Sequence, residues 1–578
     1  MSAAAPVSGE VHAGRSAAVV GRLARWDVPF GADMSDAQVE ALMQRPEIAA
    51  IQADSFPPGV PLRGILRNDA RIVTVSPGEI VVREGDYGNS AFLILEGSLR
   101  VVLPPGLPRE SLGRQTPRSA GLLATLARAF RPSPKFPEAR DVRPPAGPAA
   151  EPSEGSARAF TFLQDIPAVL ERHRSVQLGA GEIFGEIAAL GRVPRSATVF
   201  AESPSRLLEI RWQGLRELRR HDPGWRRMID ERYRRNALLN HLQAQTFFSS
   251  LDETTLASVA AAVRFRTYGD AEWHVAHKRG REAAQADPSA DVADPIDQEA
   301  VIAAEGGPAD SVYLIRSGFA RVSCIVGGGR RTITYLGVGA QFGLAEAHAA
   351  WKTGREIRVS QTLSAIGQVD VLRVPVSVLV AHVFPGLRDV PAPYATQRRI
   401  EDDAFVDWLI DERWINGTQT MLIDLDRCVR CDDCVRACAA THDGNPRFVR
   451  HGPVSDRWMV ANACMHCQDP VCMIGCPTGA IHRHELGGVV IINDDTCIGC
   501  GTCAASCPYD NIRMVEIADR SGRPLVDENG SAVRKATKCD LCVGQPGGPA
   551  CVRACPQDAL RRTGGQALLI HGVDGTRR

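Results

Sequence analysis

The chain has 578 residues, 44% hydrophobic and 23% charged, and at roughly 150 residues per domain this length excludes a single compact core and calls for about four units. Lysine plus arginine equals aspartate plus glutamate at 67 each, which excludes the basic field that nucleic acid or an acidic membrane surface requires. No apolar run approaches the ~18 residues of a spanning helix, and the first residues lack the pattern of an export signal, so a cytoplasmic location is expected.

Residues 1–40, rich in Ala, Gly and Ser without a sustained period, read as a flexible leader. From Arg71 short β-rich runs follow, Arg71-Ile-Val-Thr-Val, Glu79-Ile-Val-Val and Ala91-Phe-Leu-Ile-Leu, set apart by Pro77-Gly78, Gly85, Gly88 and Gly97. This rhythm predicts an antiparallel sandwich or barrel over residues 41–240. It breaks at about 104 and resumes near 175. Between them Pro132, Pro134, Pro137, Pro144, Pro145, Pro148 and Pro152 exclude both helix and central strand, so an insertion in a hairpin is expected. Ahead of these prolines, Leu122, Leu123, Leu126 and Phe130 share a helical face, read as a short helix packed on its own barrel.

From about Gln213 to Asn240 apolar positions among many arginines predict helix. A second β-rich unit, residues 241–400, holds Val312-Tyr-Leu-Ile, Ala320-Arg-Val-Ser-Cys-Ile-Val and Thr332-Ile-Thr-Tyr-Leu, with its own interruption around 276–298. The two units read as an internal repeat. Residues 401–578 open with an acidic helical stretch containing Trp408 and Trp414 and carry 24 acids against 19 bases.

Of 17 cysteines, 16 lie between Cys428 and Cys555; Cys324 lies alone in a predicted strand and reads as core. The 16 form four blocks: Cys428, Cys431, Cys434 and Cys438; Cys464, Cys467, Cys472 and Cys476; Cys497, Cys500, Cys503 and Cys507; Cys539, Cys542, Cys551 and Cys555. In the first and third, three cysteines at x2 intervals suit one corner of an iron–sulfur cubane, and the fourth, beyond x3, suits a neighbouring cluster. Pro477, Pro508 and Pro556 follow the fourth cysteine of three blocks, and Ala439 takes that place in the first. Structural zinc takes two separated Cys-x2-Cys knuckles without a closely spaced third cysteine, and disulfides need Cα separations that such runs satisfy poorly. Glycines at 475, 479, 499 and 501 are expected to let backbone N–H groups approach the sulfurs. His442, His466, His482 and His484 read as solvent-facing or hydrogen-bonded structural residues, with cluster ligands or proton carriers as the alternative.

The stretch from Met421 to Leu560, and above all Cys464-Met-His-Cys-Gln-Asp-Pro-Val-Cys-Met-Ile-Gly-Cys-Pro-Thr-Gly-Ala, resembles the four-cluster iron–sulfur subunits of molybdopterin oxidoreductases, formate dehydrogenases and hydrogenases. The resemblance implies a double bacterial-type ferredoxin domain in which block one pairs with block four and block two with block three. It implies clusters held by Cys428, Cys431, Cys434 and Cys555; by Cys539, Cys542, Cys551 and Cys438; by Cys464, Cys467, Cys472 and Cys507; and by Cys497, Cys500, Cys503 and Cys476.

In the first β unit, Pro77-Gly-Glu-Ile-Val-Val-Arg-Glu-Gly-Asp-Tyr-Gly, Leu95-Glu-Gly, and Gly181-Glu-Ile-Phe-Gly-Glu-Ile-Ala-Ala-Leu-Gly-Arg-Val-Pro-Arg-Ser-Ala-Thr-Val resemble the cyclic nucleotide-binding domain of kinase regulatory subunits and the catabolite activator protein. This implies a double-stranded jelly-roll barrel with a pocket at Gly185, Glu186, Ile187, Ala188, Arg195 and Ser196. Glu186 would accept from a ribose 2′-hydroxyl, and Arg195 and Ser196 would donate to the cyclic phosphate of cAMP or cGMP. In the second unit Leu344 replaces the ribose glutamate. Matching Thr362 to Thr198 puts Val359 at the arginine position and Arg358 one residue early, on the opposite strand face. That barrel is expected to be a degenerate scaffold, or to bind something other than a cyclic nucleotide.

The sequence therefore predicts a multidomain α+β protein, two cyclic nucleotide-binding-like barrels followed by a four-cluster ferredoxin. The expected function is electron transfer through four 4Fe-4S clusters to or from a catalytic oxidoreductase subunit: a molybdopterin enzyme, a hydrogenase or a flavoprotein. No catalytic site of its own is expected, and a cyclic nucleotide is the expected regulatory input. The alternative is a redox or oxygen sensor whose clusters sense and whose barrels transmit.

Overall fold

The computed structural model describes residues 17–20, 25–31, 34–102, 107, 138–139, 163, 166–173, 175–191, 194–236, 238–243, 245–249, 251–269, 278–279, 299–326, 329–387, 390, 405, 408–409, 412–485, 487–519, 521–543, 545 and 547–565. The proline-rich run and the face formed by Leu122, Leu123, Leu126 and Phe130 lie outside the described residues, as does nearly all of the second unit's interruption.

The first unit is two four-stranded sheets. One runs in the order Ala70–Val75, Ser205–Arg211, Ser90–Glu96, Ile183–Phe184; the other runs Ile80–Val82, Thr198–Ala201, Leu99–Val102, Ser175–Leu178. All pairings within them are antiparallel. Leu99–Val102 pairs with Ser175–Leu178, so the long insertion leaves and re-enters the barrel between the two arms of a hairpin. Ser90–Glu96 is buried on both faces over its first six residues, which explains its unbroken apolar text. Phe92 and Ile94 meet Val75, Leu99, Leu178 and Phe184 between the sheets, while Ala91, Leu93 and Leu95 face the helices outside.

The second unit closes around one sheet in the order Arg264–Tyr268, Thr362–Pro375, Ser311–Val326, Gly329–Leu336, joined at its margins by Ala300–Ala303 and Gln341–Phe342. Cys324 is half-buried here rather than a core residue, because it lies near the end of a long strand, next to the exposed Ile325. Between the units run the helices Trp212–His221, Pro223–Asn236, Leu238–Gln243 and Glu253–Ala262.

Residues 1–40 are not merely a leader. Val28 and Met34 are buried, and a helix begins at Asp36 behind a capping box in which Ser35 and Gln38 satisfy each other's backbone N–H. Ala18–Val19 also pairs in parallel with Leu525–Val526 of the cysteine region, and Glu138–Ala139, from the insertion, pairs in parallel with Ile517–Ala518. Two-residue strands have no periodicity to betray them, because their stability comes from the edge they add to.

The largest core joins the first unit to the cysteine region: Leu208, Ile210, Trp212 and Leu215 pack in one cluster with Met473, Ala480, Ile481 and Val490. Polar contacts tighten this junction. Arg211 Nε donates to the buried Asp69 carboxylate at 2.7 Å, and Arg211 Nη1 donates to the Thr478 carbonyl at 2.7 Å. Arg216 Nη1 donates to the Ile474 carbonyl at 2.5 Å. Gly479, at φ +69°, lies so close that a Cβ there would sit 2.7 Å from Gln213 Nε2. Removing Arg211 leaves Asp69 buried with only Arg25 to balance it. Arg211→Ala is therefore expected to lower the local opening free energy of the helix Trp212–His221 by about 3 kcal/mol, read by hydrogen exchange. The exposed pair Arg206–Glu96 is the control, with Arg206→Ala changing it by less than about 1 kcal/mol.

Candidate functional site

The chain folds the four cysteine blocks across one another. Cys428, Cys431 and Cys434 line one cleft with Cys555, and Cys497, Cys500 and Cys503 line another with Cys476. Burial pushes the Cys438 thiol up to about 12, and its neighbours Cys539, Cys551 and Cys542 push it the same way. Burial likewise holds Cys472 well above the usual thiol range, with Cys507, Cys464 and Cys467 adding to it. The structure thus gathers four groups of four, each taking its fourth member from another block. All seventeen cysteines are free of disulfides.

The same backbone device recurs in every block. The residue before the second cysteine is left-handed: Arg430 at φ 59°, His466 at 50°, Gly499 at 70° and Leu541 at 56°. A left-handed residue within a tight turn makes successive N–H groups converge, the geometry of an anion nest. Only Gly499 announces this in its residue type. Its close approach also demands glycine, since a Cβ would meet the Arg534 carbonyl at 2.0 Å. Gly475, expected to serve in the same way, has an ordinary φ of −85°; its Cβ would strike Thr502 Cγ2 at 2.4 Å, so it is needed for close helix contact instead.

The sulfurs are met by donors. Arg447 N–H reaches Cys438 Sγ at 3.2 Å, Ala559 N–H reaches Cys555 Sγ at 3.2 Å, and Arg562 Nη2 reaches Cys539 Sγ at 3.2 Å. Tyr509 and Asn511 donate backbone N–H to Cys507. Buried Lys538 lies beside them, its Nζ donating to the Cys539 carbonyl at 2.9 Å. His466 is 1% exposed; its Nδ1 accepts from Val490 N–H at 3.1 Å, which leaves the proton on Nε2. That Nε2 has no hydrogen-bond partner among the described residues, so a buried donor next to Cys467 lacks an acceptor. Burial first, then Lys538, Arg562 and Arg483, keep this imidazole neutral by lowering its pKa. Gathered thiols, backbone N–H donors to several of the sulfurs, nearby cations and an orphaned donor fit anionic iron–sulfur clusters. His442 and His482 bond backbone carbonyls, and His442 Nε2 also meets Asp540 at 2.9 Å.

In the first β unit the predicted pocket residues are brought together, but with one difference. The helix Glu186–Gly191 starts after Gly185 at φ 80°, with Glu186 and Ala188 buried and Ile187 half-buried against Leu238 and Leu242. Arg195 is buried, and its Nη1 and Nη2 donate to the carbonyls of Gly185 at 2.6 Å and Ser90 at 2.7 Å. Gly88 leaves room for it, since a Cβ there would lie 1.9 Å from the guanidinium. Ser196 is exposed, in a bend two residues before the strand Thr198–Ala201, so its hydroxyl lies in solvent while Arg195 beside it is buried.

The second unit repeats the backbone without the chemistry. Around Arg195, Gly85 N–H donates to the Arg195 carbonyl, Arg195 N–H donates to Asp86, and Glu84 N–H donates to Thr198 Oγ1. In the second unit Gly306 N–H donates to the Val359 carbonyl, Val359 N–H donates to Gly307, and Glu305 N–H donates to Thr362 Oγ1. Val359 is therefore the structural counterpart of Arg195. Arg358 faces solvent, donating to the Gly306 carbonyl and pairing with Glu356.

The family described as 4Fe-4S dicluster domain matches residues 456–564, and the family described as cyclic nucleotide-binding domain matches residues 154–222. Electron transport protein HydN of Escherichia coli (strain K12) is 33% identical over 158 residues, covering 24% of this chain and 85% of that protein. The chain belongs to the HydN family of electron transport proteins. Formate hydrogenlyase subunit 2 of the same strain is 30% identical over 164 residues, covering 24% of this chain and 79% of that one. The chain joins this iron–sulfur part to a cyclic nucleotide-binding domain. Among solved structures, the regulatory domain of Toxoplasma gondii PKA with cAMP is 15% identical, covering 61% of this chain and 94% of that one, with a TM-score of 0.20.

The crossed grouping makes a sharp prediction. Cys438→Ala and Cys551→Ala should each remove the same part of the iron, about a quarter, and the same component of the reduced protein's paramagnetic resonance spectrum. Cys434→Ala should remove a different component. If Cys438→Ala instead matched Cys434→Ala, the block would hold its iron alone.

Proposed function

We propose that the chain carries electrons through four 4Fe-4S clusters to or from a catalytic oxidoreductase subunit (a molybdopterin enzyme, a hydrogenase or a flavoprotein) in the cytoplasm. A cyclic nucleotide, cAMP or cGMP, bound by the first unit is its regulatory input. The observation that carries this reading is the gathering of sixteen cysteines into four crossed groups of four. In this reading residues 41–240 and 241–400 are double-stranded jelly rolls, the second degenerate, and 401–578 is a double bacterial-type ferredoxin. Among the described residues no helix is long and apolar enough to cross a membrane.

Bound at these groups, the clusters supply one-electron redox chemistry. The residues around them do the rest. Cys431 and Cys500 are exposed and belong to different groups, which brings those two groups to the surface where partners dock. The other two groups carry no exposed cysteine: Cys438, Cys539, Cys542 and Cys551 are buried, and Cys467 and Cys472 are half-buried beside the buried Cys464 and Cys507. Lys538 and Arg562 sit where thiolate charge would accumulate and offset it.

In the first unit Arg195 is the phosphate's partner and Glu186 the ribose's. Arg195 already has its guanidinium among backbone carbonyls, and a cyclic phosphate would replace those acceptors with a charged one. Anaerobically reconstituted protein should hold about sixteen irons and bleach reversibly with dithionite; zinc in their place would overturn the electron-transfer reading. Calorimetry should find one nucleotide site per chain for cAMP or cGMP. Arg195→Ala should weaken it at least about thirtyfold, the ~2 kcal/mol of a lost charge-assisted hydrogen bond. Absence of heat with either nucleotide would remove the regulatory input and leave electron transfer standing.

A further inference from the structure

The nucleotide pocket and one cysteine group share a single loop. Residues 84–90 of the first unit lie against Arg195 on one side: Gly85 N–H donates to its carbonyl, Arg195 N–H donates to Asp86, Tyr87 bridges Pro194, and Arg195 Nη2 donates to Ser90. On the other side the same loop is bonded to the hairpin formed by Ile481–Arg483 and Val490–Ile492 in the cysteine region. Tyr87 N–H donates to the Glu485 carbonyl at 2.9 Å, and Asn89 Nδ2 donates to the Arg483 carbonyl at 2.9 Å. The Arg483 guanidinium stands 5.0 Å from the centre of the Tyr87 ring. A Cβ at Gly488 would lie 2.3 Å from that ring, so the hairpin tip fits the tyrosine closely.

Arg483 does not stop at the hairpin. Its Nη2 donates to the carbonyls of Cys467 and Gln468, both at 2.8 Å, and its Nη1 to Gly488 at 2.7 Å. It is 4% exposed. One buried guanidinium thus holds the turn that presents Cys467 while its face rests on a ring from the nucleotide-binding unit. The planar fork matters: a lysine cannot hold three carbonyls and stack on an aromatic face together.

Resting on the function proposed above, we propose that nucleotide occupancy of the first unit and the redox state of the group Cys464, Cys467, Cys472 and Cys507 are coupled through Tyr87 and Arg483. When a cyclic phosphate engages Arg195, the guanidinium loosens from the Ser90 carbonyl and the loop 84–90 shifts against the hairpin. Arg483, wedged between ring and carbonyls, passes the shift to the Cys467 turn. In the opposite direction, added charge at that group strengthens its pull on Arg483 and loads the loop from the other side. A coupling of this kind is reciprocal. Arg483 is a positioning residue here, and Tyr87 is the contact through which it is reached.

The test uses the full chain, reconstituted with iron and sulfide, in anaerobic calorimetry with cAMP and with cGMP. Nucleotide affinity is measured on the oxidised protein and again after reduction by dithionite. The two dissociation constants should differ about fivefold or more, and the midpoint potential of one cluster should shift with nucleotide in the matching sense. In Tyr87→Ala, nucleotide should still bind, but with the same affinity in both redox states. Should Tyr87→Ala fail to load iron, Asn89→Ala, which removes only the bond to the Arg483 carbonyl, should shrink the difference. Equal affinities in the two states of the unaltered protein would overturn the coupling while leaving both electron transfer and nucleotide binding intact. A difference that survives in Tyr87→Ala and Asn89→Ala would overturn this route. Loss of all nucleotide heat in protein that loads iron would instead be the failure of the underlying nucleotide reading, and the coupling would fall with it.

Discussion

A thiol shielded by protein keeps its proton, and a thiolate shielded by protein needs compensation; the architecture of the cysteine region answers this constraint. Burial drives Cys438 and Cys503 to about 12 and Cys434 to about 11, so these sulfurs ionise only when a metal takes the place of the proton. The compensation is then built into the backbone and into a few cations. Backbone N–H groups of Arg447 and Ala559 reach Cys438 and Cys555, and Lys538 and Arg562 stand beside Cys539. A sheet-and-helix fold with ordinary turns would have left the same charges without partners.

The ligand spacing was plain in the sequence because iron dictates it, and the strands of the first unit were plain because glycine and proline bracket each apolar run. The turn geometry was hidden. Arg430, His466 and Leu541 adopt a conformation that their residue types disfavour, and only the tertiary contacts of each block hold them there. The anchoring of the N-terminal segment was hidden for a different reason: Ala18–Val19 contributes an edge, not a pattern. The junction between the first unit and the cysteine region was equally illegible. Arg211 and Arg216 sit in helical text rich in arginine, where a solvated face is the ordinary reading, yet both reach backbone carbonyls of a distant segment.

The two β units show how little separates a binding site from a scaffold. Around residue 195 and around residue 359 the backbone hydrogen bonds correspond one for one, down to the threonine that accepts from the preceding loop. The second unit nonetheless puts valine where the first has arginine, and its own arginine lies one position earlier. Since alternate residues of a strand face opposite ways, that single step moves a guanidinium from the pocket into solvent, where it pairs with Glu356. Leu344, 1% exposed, stands where the first unit has Glu186. What survives is packing: the second unit shares a core with Leu238 and Leu242, against which Ile187 of the first unit's pocket also rests.

Three arginines converge on one stretch of the second cysteine block. Arg483 takes the carbonyls of Cys467 and Gln468, Arg216 that of Ile474, and Arg211 that of Thr478. Two of the three belong to the first β unit, and the third is stacked on its Tyr87. The turns that present Cys467, Cys472 and Cys476 are therefore shaped partly by residues more than two hundred positions earlier in the chain. Because a preformed ligand set rarely exists without its supports, free energy gained when a cluster binds is shared with the folding of whatever shapes the site. The first unit is such a support.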